Sequence, residues 1–525
     1  MAVETELKLR IAPEQLARLR RHALLKSCSV SRPVTRRIYN IYYDTPKLDL
    51  HSSEMALRLR HAGRQWLQTL KGGGSVQAGL HQRNEWEVPV SSAKLDFSFL
   101  TEETGPQAAE WEEHLPQALR KKLQPVFVTD FSRTSRMLLW HGAQIELCMD
   151  HGEISTEHRS IPVCELELEL KSGDPRQLFE LAQAILEIVP FELEAVSKAE
   201  QGYRLLSGYV GHPVKSVAPE LSRTNTLDDM LKKLIWSCLQ HFQNNLSGAM
   251  GSDDAEYLHQ MRVALRRLRV VLRMAEKVRA GKQLAMLSKD VSALCVALGR
   301  IREWDVFIAQ TVQPMCKRMP GHAGLQALLA ASERQRAACY AALRSEAKAR
   351  ELQRLLLRFA IWMNGAYWLH AGWQHAAAAQ PAHEFVNRRL QKLAERFARS
   401  GQHLNTFDAA QLHALRILAK KLRYSAEFFA ALYDKRKAKA FLAALGKVQE
   451  VLGQINDVAV AHRLLDGLAA DAALAANALS AHGETVVLEA VTLSRGWIAH
   501  DLSHQLSVLR KTIQRFNRQA AFWEK

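Results

Sequence analysis

The opening ten residues set the terms for the rest of the chain. Val3, Thr5, Leu7 and Leu9 alternate with Glu4, Glu6, Lys8 and Arg10, the period of a β-strand with one apolar and one charged face. A single strand of this kind ordinarily shows its charges to water. A second one far along the chain changes that expectation. In Glu165-Leu166-Glu167-Leu168-Glu169-Leu170, three carboxylates again fall on one face and three leucines on the other. If both strands belong to one closed barrel with charged faces inward, five carboxylates share a lumen. Their mutual repulsion then demands cations, either basic side chains or a hard divalent ion with its preference for oxygen ligands.

The segment between them offers such partners. Short β-rich runs cover 36–45, 55–60, 65–71, 83–90, 131–140 and 143–150, with turn signals at Gly72-Gly73-Gly74, His141-Gly142 and Asp150-His151-Gly152. Pro13 to Leu25 reads as one helix with proline at its start, and Asp174 to Ile188 as another. Arg58 and Arg60 share a strand face, as do Arg83, Glu85 and Glu87. An antiparallel barrel with polar side chains inside and helices over its apolar exterior would line its lumen with Lys8, Arg58, Arg60, Lys71, Arg83, Arg133 and Lys198 beside the carboxylates. Both signs of charge together suit a metal–polyphosphate substrate, its phosphoryl oxygens clamped by basic groups and bridged by Mg²⁺ or Mn²⁺.

The same residues carry a resemblance. Glu4-Thr5-Glu6-Leu7-Lys8, NIYYDTP (40–46), LRLR (57–60), QTLK (68–71), GLHQRNEWEV (79–88), TDFSR (129–133), IELCMDHGE (145–153), CELELELKSGD (164–174) and SKAEQGYRL (197–205) resemble, in order, the CYTH superfamily of triphosphate tunnel metalloenzymes. The resemblance implies an eight-stranded antiparallel tunnel with flanking helices that acts on triphosphate compounds. Carried over by position, it implies that Glu4, Glu6, Glu165, Glu167 and Glu169 hold divalent metal. The seven basic residues named above would bind the triphosphate. Glu4, Glu6, Lys8 and Glu85 would be the catalytic set, with Glu85 an additional ligand. Asp150 and Glu153 match by context as either ligands or structural groups, while Glu87 and Arg136 read as ordinary polar positions.

Charge divides the chain. Residues 1–210 hold 26 Lys and Arg against 28 Asp and Glu, whereas residues 211–525 hold 45 against 26, so the net +17 resides in the second part. That balance points to a polyanionic partner. At 525 residues more than one domain is expected. Composition marks the boundary at 208–221, a proline- and glycine-bearing stretch without helical period, between a domain at 1–207 and a helical domain at 222–525. The seven cysteines form no C-x-x-C pair and fit free thiols in a reducing, cytoplasmic compartment. The N-terminus is charged from Glu4 onward and is not a signal peptide. Phe359 to His383 lacks Asp, Glu, Lys and Arg, yet its polar content reads as a buried helix and an Ala-rich turn rather than a membrane span.

The helical half contains a duplication. LHQMRVALRRLRVVLRMAE (258–276) matches LHALRILAKKLRYSAEFFA (412–430), and 294–309 matches 448–461. His413 lies 154 residues after His259, and Asp457 lies 152 after Asp305. At about 100° per residue, His259, Arg262, Arg266, Arg269 and Arg273 form one narrow helical stripe, which His413, Arg416, Lys420 and Arg423 repeat before Glu427 replaces the fifth cation. Stacked like charges destabilise a helix by ~0.2–0.5 kcal/mol per pair, so an anionic ligand is expected to compensate. The pattern resembles the CHAD domain, which implies two pseudo-symmetric four-helix bundles binding inorganic polyphosphate through His259, Arg262, Arg266, Arg269, His413, Arg416, Lys420 and Arg423. Arg267 and Lys421 flank the stripe, Asp305 and Asp457 would orient the basic groups, and the first copy looks the more basic. The absence of interleaved aromatics argues against nucleic acid. Residues 320–400 and the last forty carry no assignable motif.

Together these features predict a metal-dependent inorganic triphosphatase that converts tripolyphosphate to pyrophosphate and phosphate, joined to a polyphosphate-binding domain, with no membrane segment. A class IV adenylate cyclase or thiamine triphosphatase on the same fold, or a non-catalytic polyphosphate-binding protein, are the alternatives.

Overall fold

In the computed structural model, residues 2–102, 106–278, 281–365, 382–402, 408–476 and 482–524 are described. The alternating segments near the start and near residue 167 are neighbours in one closed antiparallel sheet. Its strands are β1 (Ala2–Arg10), β2 (Val34–Asp44), β3 (Met55–Ala62), β4 (Gln65–Gln77), β5 (Leu80–Val90), β6 (Gln124–Trp140), β7 (Ala143–Ser155), β8 (Ser160–Ser172) and the short β9 (Glu192–Leu193). The order is β5-β4-β3-β2-β6-β7-β8-β1-β9, and an additional β5–β1 pairing closes an eight-stranded barrel, with β9 attached to β1. Register decides which charges meet. Lys8 lies opposite Glu167 and Glu6 opposite Glu169 across β1–β8, while Glu4 lies opposite Arg83 across β1–β5. The leucines between them point outward and are fully buried (Leu7, Leu9, Leu166, Leu168), each contributing about 1.5–3 kcal/mol. The helix α1 (Arg176–Ile188), whose inner face is Leu178, Leu181, Ala182 and Ile185, packs over β1 and β8.

Several strands run further than the sequence patterns suggested. Gly72-Gly73-Gly74 is not the turn expected there: β4 continues through it with a register shift between Gly72 and Ser75. Gly74 has φ +94°, and a Cβ there would sit 1.9 Å from the Gln82 carbonyl oxygen, so the position admits only glycine. Asp150-His151-Gly152 likewise remains inside β7, whereas His141-Gly142 is the β6–β7 turn, both residues having positive φ. The helix expected from Pro13 to Leu25 breaks at His22, which is extended and whose ring Nδ1 accepts from the Leu24 N–H to cap a second short helix.

The chain separates into two compact units, one of 1–212 with 346–371 and one of 213–345 with 372–525. The first unit therefore includes α7 (Glu346–Asn364), although its sequence lies within the helical half. There α7 packs on α1. Arg354 Nη2 contacts both Glu187 oxygens at 2.9 and 3.0 Å, and Gln353 Oε1 accepts the Leu193 N–H at 3.1 Å. The first unit also carries α2 (Lys198–Ser207), capped by Ser197 and tied to β2 by the Tyr203 hydroxyl, which donates to the buried Asp44 at 2.9 Å.

The second unit is helical, as its sequence predicts. It contains α3 (Leu227–Gly251), α4 (Ala255–Val278), α5 (Lys282–Phe307) and α6 (Ala323–Leu343), then α8 (Ala382–Ser400), α9 (Ala409–Phe429), α10 (Lys435–Ala476) and α11 (His482–Asn517). Each set packs in chain order, α3–α4–α5–α6 and α8–α9–α10–α11, and α6 also packs on α11. The two sets share an apolar cluster that includes Phe307, Met315, Leu325, Leu465, Ala490 and Val491. The charge-free segment at 359–383 begins within α7; residues 366–381 lie outside those described. Among the described residues, no helix is long and apolar enough to cross a membrane.

Candidate functional site

The barrel lumen is a cavity of about 540 Å³ lined by both signs of charge. Of the expected acids, Glu4, Glu6, Glu167, Glu169 and Glu85 line it; of the expected cations, Lys8, Arg58, Arg60, Lys71, Arg83, Arg133 and Lys198 all do. Glu165 is not among the lining residues. It lies buried at one end, paired with the Lys198 ammonium, because its β8 position places it opposite Arg10, two residues beyond Lys8.

Nearly every carboxylate already has a cationic partner. Lys8 Nζ lies 2.9 Å from Glu6 and 2.5 Å from Glu167, and Lys71 Nζ lies 2.5 Å from Glu4 and 3.2 Å from Glu85. Arg133 grips Asp150 with two hydrogen bonds, 2.8 and 2.6 Å, and also pairs with Glu167. Asp150 is fully buried and holds Lys198 at 2.7 Å as well, so of its two expected readings the structure favours a positioning role. Glu153 is exposed on β7. Arg136 is buried outside the lumen, with its guanidinium 3.5 Å from the Leu25 carbonyl oxygen.

These pairings act on protonation. Burial opposes charge on Glu167, but Arg133, Lys198 and Lys8 outweigh it and hold the carboxyl well below the ordinary glutamate range. Burial pushes Glu165 up to about 7 against the pull of Lys198 and Lys8. Burial also opposes charge on Lys8 and Lys198, yet the surrounding carboxylates raise both. Arg60 differs: burial, then Arg58 and Arg133, lower it to about 10, and its Nε donates only to Asn40, at 3.2 Å. Among the described residues no carboxylate forms an ion pair with it, and Glu85 only partly offsets the lowering.

Sequence reasoning missed several lining residues. Glu146 shares strand parity with Asp150, and Lys171 continues the parity of Glu165, Glu167 and Glu169, so both were findable by counting in twos. Lys171 lies 3.2 Å from Glu146 and 2.5 Å from Glu169. Glu87, read as an ordinary polar position, lines the lumen and accepts from Thr69 at 3.1 Å. Two regions could receive a metal. Asp150, Glu165 and Glu167 cluster within 4.8 Å, but the Lys198 ammonium contacts all three and already serves as their counter-ion. The second lies around Glu169, where burial raises the carboxyl and Glu4 and Glu146 repel its charge, although Lys171 pairs with Glu169 and Glu146 and Lys71 with Glu4. Glu4, Glu146 and Glu169 offer the oxygen ligands that a hard divalent cation prefers, but here Lys71 and Lys171 hold them, and among the described residues they do not form a compact cluster as Asp150, Glu165 and Glu167 do.

The helical unit has a cavity of about 780 Å³ where the two copies meet. His259, Arg262 and Arg266 from α4 and His413, Arg416 and Lys420 from α9 line it, joined by Arg302 and Arg463, which sequence reasoning did not single out. Each copy thus supplies three Lys or Arg side chains and one histidine, correcting the expected imbalance. Arg269 and Arg423 do not line the cavity. They are equivalent positions one turn further on, where Arg269 lies beside the Cys295 thiol and Arg423 binds Glu427 at 2.7 Å and Gln449 at 3.1 Å. Asp457 lines the cavity, but Asp305 is held outside it by Arg336 at 2.8 Å and by Tyr340. A turn of π-helix (Ile308–Val312) brings Gln310 and Thr311 to the wall, a distortion common at functional sites.

Here the cations face one another. Burial, then Arg266, lowers Arg262 to about 10; burial, then Arg266, Arg416 and Arg262, lowers Lys420 to about 6, against Asp457. Burial and Arg266 lower Arg416 too, and its Nε is buried without a hydrogen-bond partner among the described residues.

Residues 2–203 match the CYTH domain family and residues 233–466 the CHAD domain family. An inorganic triphosphatase of Haemophilus influenzae is 34% identical over 209 residues, covering 39% of this chain, and the chain spans about half (55%) of that relative's length. Among solved structures, the CHAD domain of Ricinus communis is 31% identical, with 58% of this chain and 96% of that one covered at a TM-score of 0.48. A Hippeastrum protein described as having a dominant triphosphatase activity is 18% identical, with coverage of 39% and 97% and a TM-score of 0.30. With its acid-and-base-lined barrel followed by a duplicated basic helical unit, the chain is a CYTH domain joined to a CHAD domain.

Proposed function

We propose that the barrel unit is a divalent-metal-dependent inorganic triphosphatase, splitting tripolyphosphate into pyrophosphate and phosphate, and that the helical unit binds inorganic polyphosphate. The observation that carries the first part is the lumen's lining: paired acids and bases with little that a base or thiazolium ring could stack on. Its two aromatic residues are already engaged. Tyr42 stacks on Phe127 with ring centroids 4.5 Å apart, and the Phe131 ring has Arg133 at 5.5 Å and Lys198 at 5.0 Å from its centroid. The triphosphatase relative supports the same choice.

Mg²⁺ or Mn²⁺ held by Glu4, Glu146 and Glu169, with Glu6 beside them, would supply Lewis-acid stabilisation of charge on the phosphoryl oxygens. The chain's own residues do the rest. Arg58, Arg60 and Arg83 take the phosphoryl oxygens; among the described residues no carboxylate forms an ion pair with Arg60, whose Nε donates to Asn40. Lys8 and Lys71, held in the lumen by Glu6, Glu167, Glu4 and Glu85, present their remaining N–H donors to the bound anion, and a preorganised donor of this kind is worth ~10²–10³ in rate. Asp150 keeps Arg133 and Lys198 oriented. In the helical unit, Arg262, Arg266, Arg416 and Lys420, facing one another, would exchange their repulsion for phosphate contacts. The seven cysteines are free thiols, which suits the cytoplasm.

Phosphate release from tripolyphosphate, ATP and thiamine triphosphate, with and without Mg²⁺ or Mn²⁺, tests the assignment. Metal-dependent turnover fastest on tripolyphosphate is expected; faster turnover of either organic triphosphate, or none of any, rejects it.

A further inference from the structure

Beyond the cavity, the helical unit carries a second concentration of positive charge. Arg273 and Lys277 continue the α4 stripe, Arg389, Lys392 and Arg396 occupy one face of α8 at spacings of three and four, and Lys421 follows the cavity residue Lys420 on α9. The helices that carry them meet, α8 packing on α9 and α9 on α4, and the six groups repel one another. Burial, then Arg389, Lys392 and Arg396, lowers Lys277. Burial, then Arg273, Arg396, Arg269 and Arg389, lowers Lys421. Burial and Arg273 bring Arg389 to about 10, and its Nε is buried without a hydrogen-bond partner among the described residues.

Among the described residues, no carboxylate forms an ion pair with any of the six. The nearby acids are engaged elsewhere: Glu276 with Ser288, Glu395 with Gln391, and Glu427 with Arg267 and Arg423. Nor, among the described residues, does an aromatic ring cover these cations, so the surface offers charge without the stacking that single-stranded nucleic acid uses. Arg273, Lys277, Lys392 and Arg396 are exposed, while Arg389 and Lys421 are half-buried. The cluster also continues the cavity. On α4 it begins within two turns of Arg266, and from Arg266 to Lys277 the helix rises ~16 Å. A short phosphate oligomer can be accommodated in the cavity; a longer one must leave it, and this track is where matching cations lie.

We propose that the α4–α8 basic cluster is a second anchoring site for long polyphosphate chains, taking the phosphates that extend beyond the central cavity. It rests on the polyphosphate-binding reading of that cavity. It makes affinity depend on chain length: short oligomers use the cavity cations only, and long chains use both groups.

The test is binding of long-chain polyphosphate and of a short oligophosphate to the full chain and to an R389Q/K392Q/R396Q variant, across a range of salt. The expected result is a loss of ~10-fold or more for the long chain and a salt dependence shallower by about two to three phosphate contacts. Affinity for the short oligomer and the thermal melting transition should be unchanged. An R389K/R396K variant, which keeps the charge, should bind long chains nearly as the wild type does. Equal losses for both chain lengths, or no loss for either, overturn the proposal while leaving the cavity reading intact. Failure of the unsubstituted protein to bind long-chain polyphosphate overturns both.

Discussion

The two charged cavities use the same residue types in opposite ways. In the barrel, Lys8, Lys198 and Arg133 are buried beside carboxylates and hold their protons more tightly than usual. In the helical cavity, Lys420, Arg262 and Arg416 are buried beside one another and hold theirs less tightly. Desolvation acts in the same direction in both; the neighbouring charge reverses the outcome. The difference teaches what each site can do. A neutralised, hydrogen-bonded lumen is preorganised, so a substrate enters by exchanging ion pairs and the donors remain aimed at it. A cavity of mutually repelling cations stores unfavourable energy that any polyanion relieves, which suits affinity rather than chemistry.

The sharpest way to break this comparison is to remove a compensating cation from the barrel. Lys198→Met leaves Asp150, Glu165 and Glu167 buried around an empty position. A loss of ~3–5 kcal/mol in stability is expected, read as a lowered melting temperature. Tripolyphosphate turnover should fall by at least ~10²-fold. If both stay at wild-type levels, the barrel is not held by ion pairing.

Next in size is the helical cavity. An R262Q/R266Q/R416Q/K420Q variant should bind polyphosphate at least ~100-fold more weakly with a shallower salt dependence, while tripolyphosphate turnover is unchanged. Its melting temperature should not fall, because the cations repel each other; a large drop would show that they stabilise the fold.

A pH series sharpens the point for Lys420. Its folded value is about 6, below the ~10.4 of an unfolded lysine, so between those values the unfolded chain binds the extra proton. Stability therefore rises with pH across that window, and Lys420→Met should flatten this rise. Anion binding restores the proton, so polyphosphate affinity should decline from pH 6 to 9 in the wild type and less so in the variant. Identical pH profiles would refute the burial argument. The smallest effect is expected for Arg423→Gln. Its guanidinium is occupied by Glu427 and Gln449, so polyphosphate affinity should change less than ~2-fold; a loss like that of Arg416→Gln would return it to the cavity.

The alternation of Glu4-Thr5-Glu6-Leu7-Lys8 and of Glu165–Leu170 was enough to establish two-faced strands, since strand side chains have a period of two whatever they pair with; their closure into a barrel was what the family resemblance implied. The four-residue spacing of Arg262 and Arg266, repeated in Arg416 and Lys420, likewise marked two basic helical stripes; that they face one another followed only from the resemblance to the CHAD domain. Sequence period could not say how deep along each element the site extends. Arg269 and Arg423 belong to the same stripes yet lie one turn past the cavity, and Glu165 obeys the parity of Glu167 yet lies beyond the lumen. Those limits depend on where neighbouring elements end.

The sequence by itself determined the two-faced strands, the basic helical stripes and the uneven charge of the two halves, because periodicity and spacing are local; the barrel and the paired bundles were legible through the resemblance to the CYTH and CHAD families. Only the tertiary structure decided which charges neutralise one another, that Lys198 occupies the acidic cluster, that α7 packs with the barrel, and that α8 contributes a basic face beside α4. Each of these is a contact between segments far apart in the chain. Its energy depends on distance and burial, which the order of residues does not encode locally.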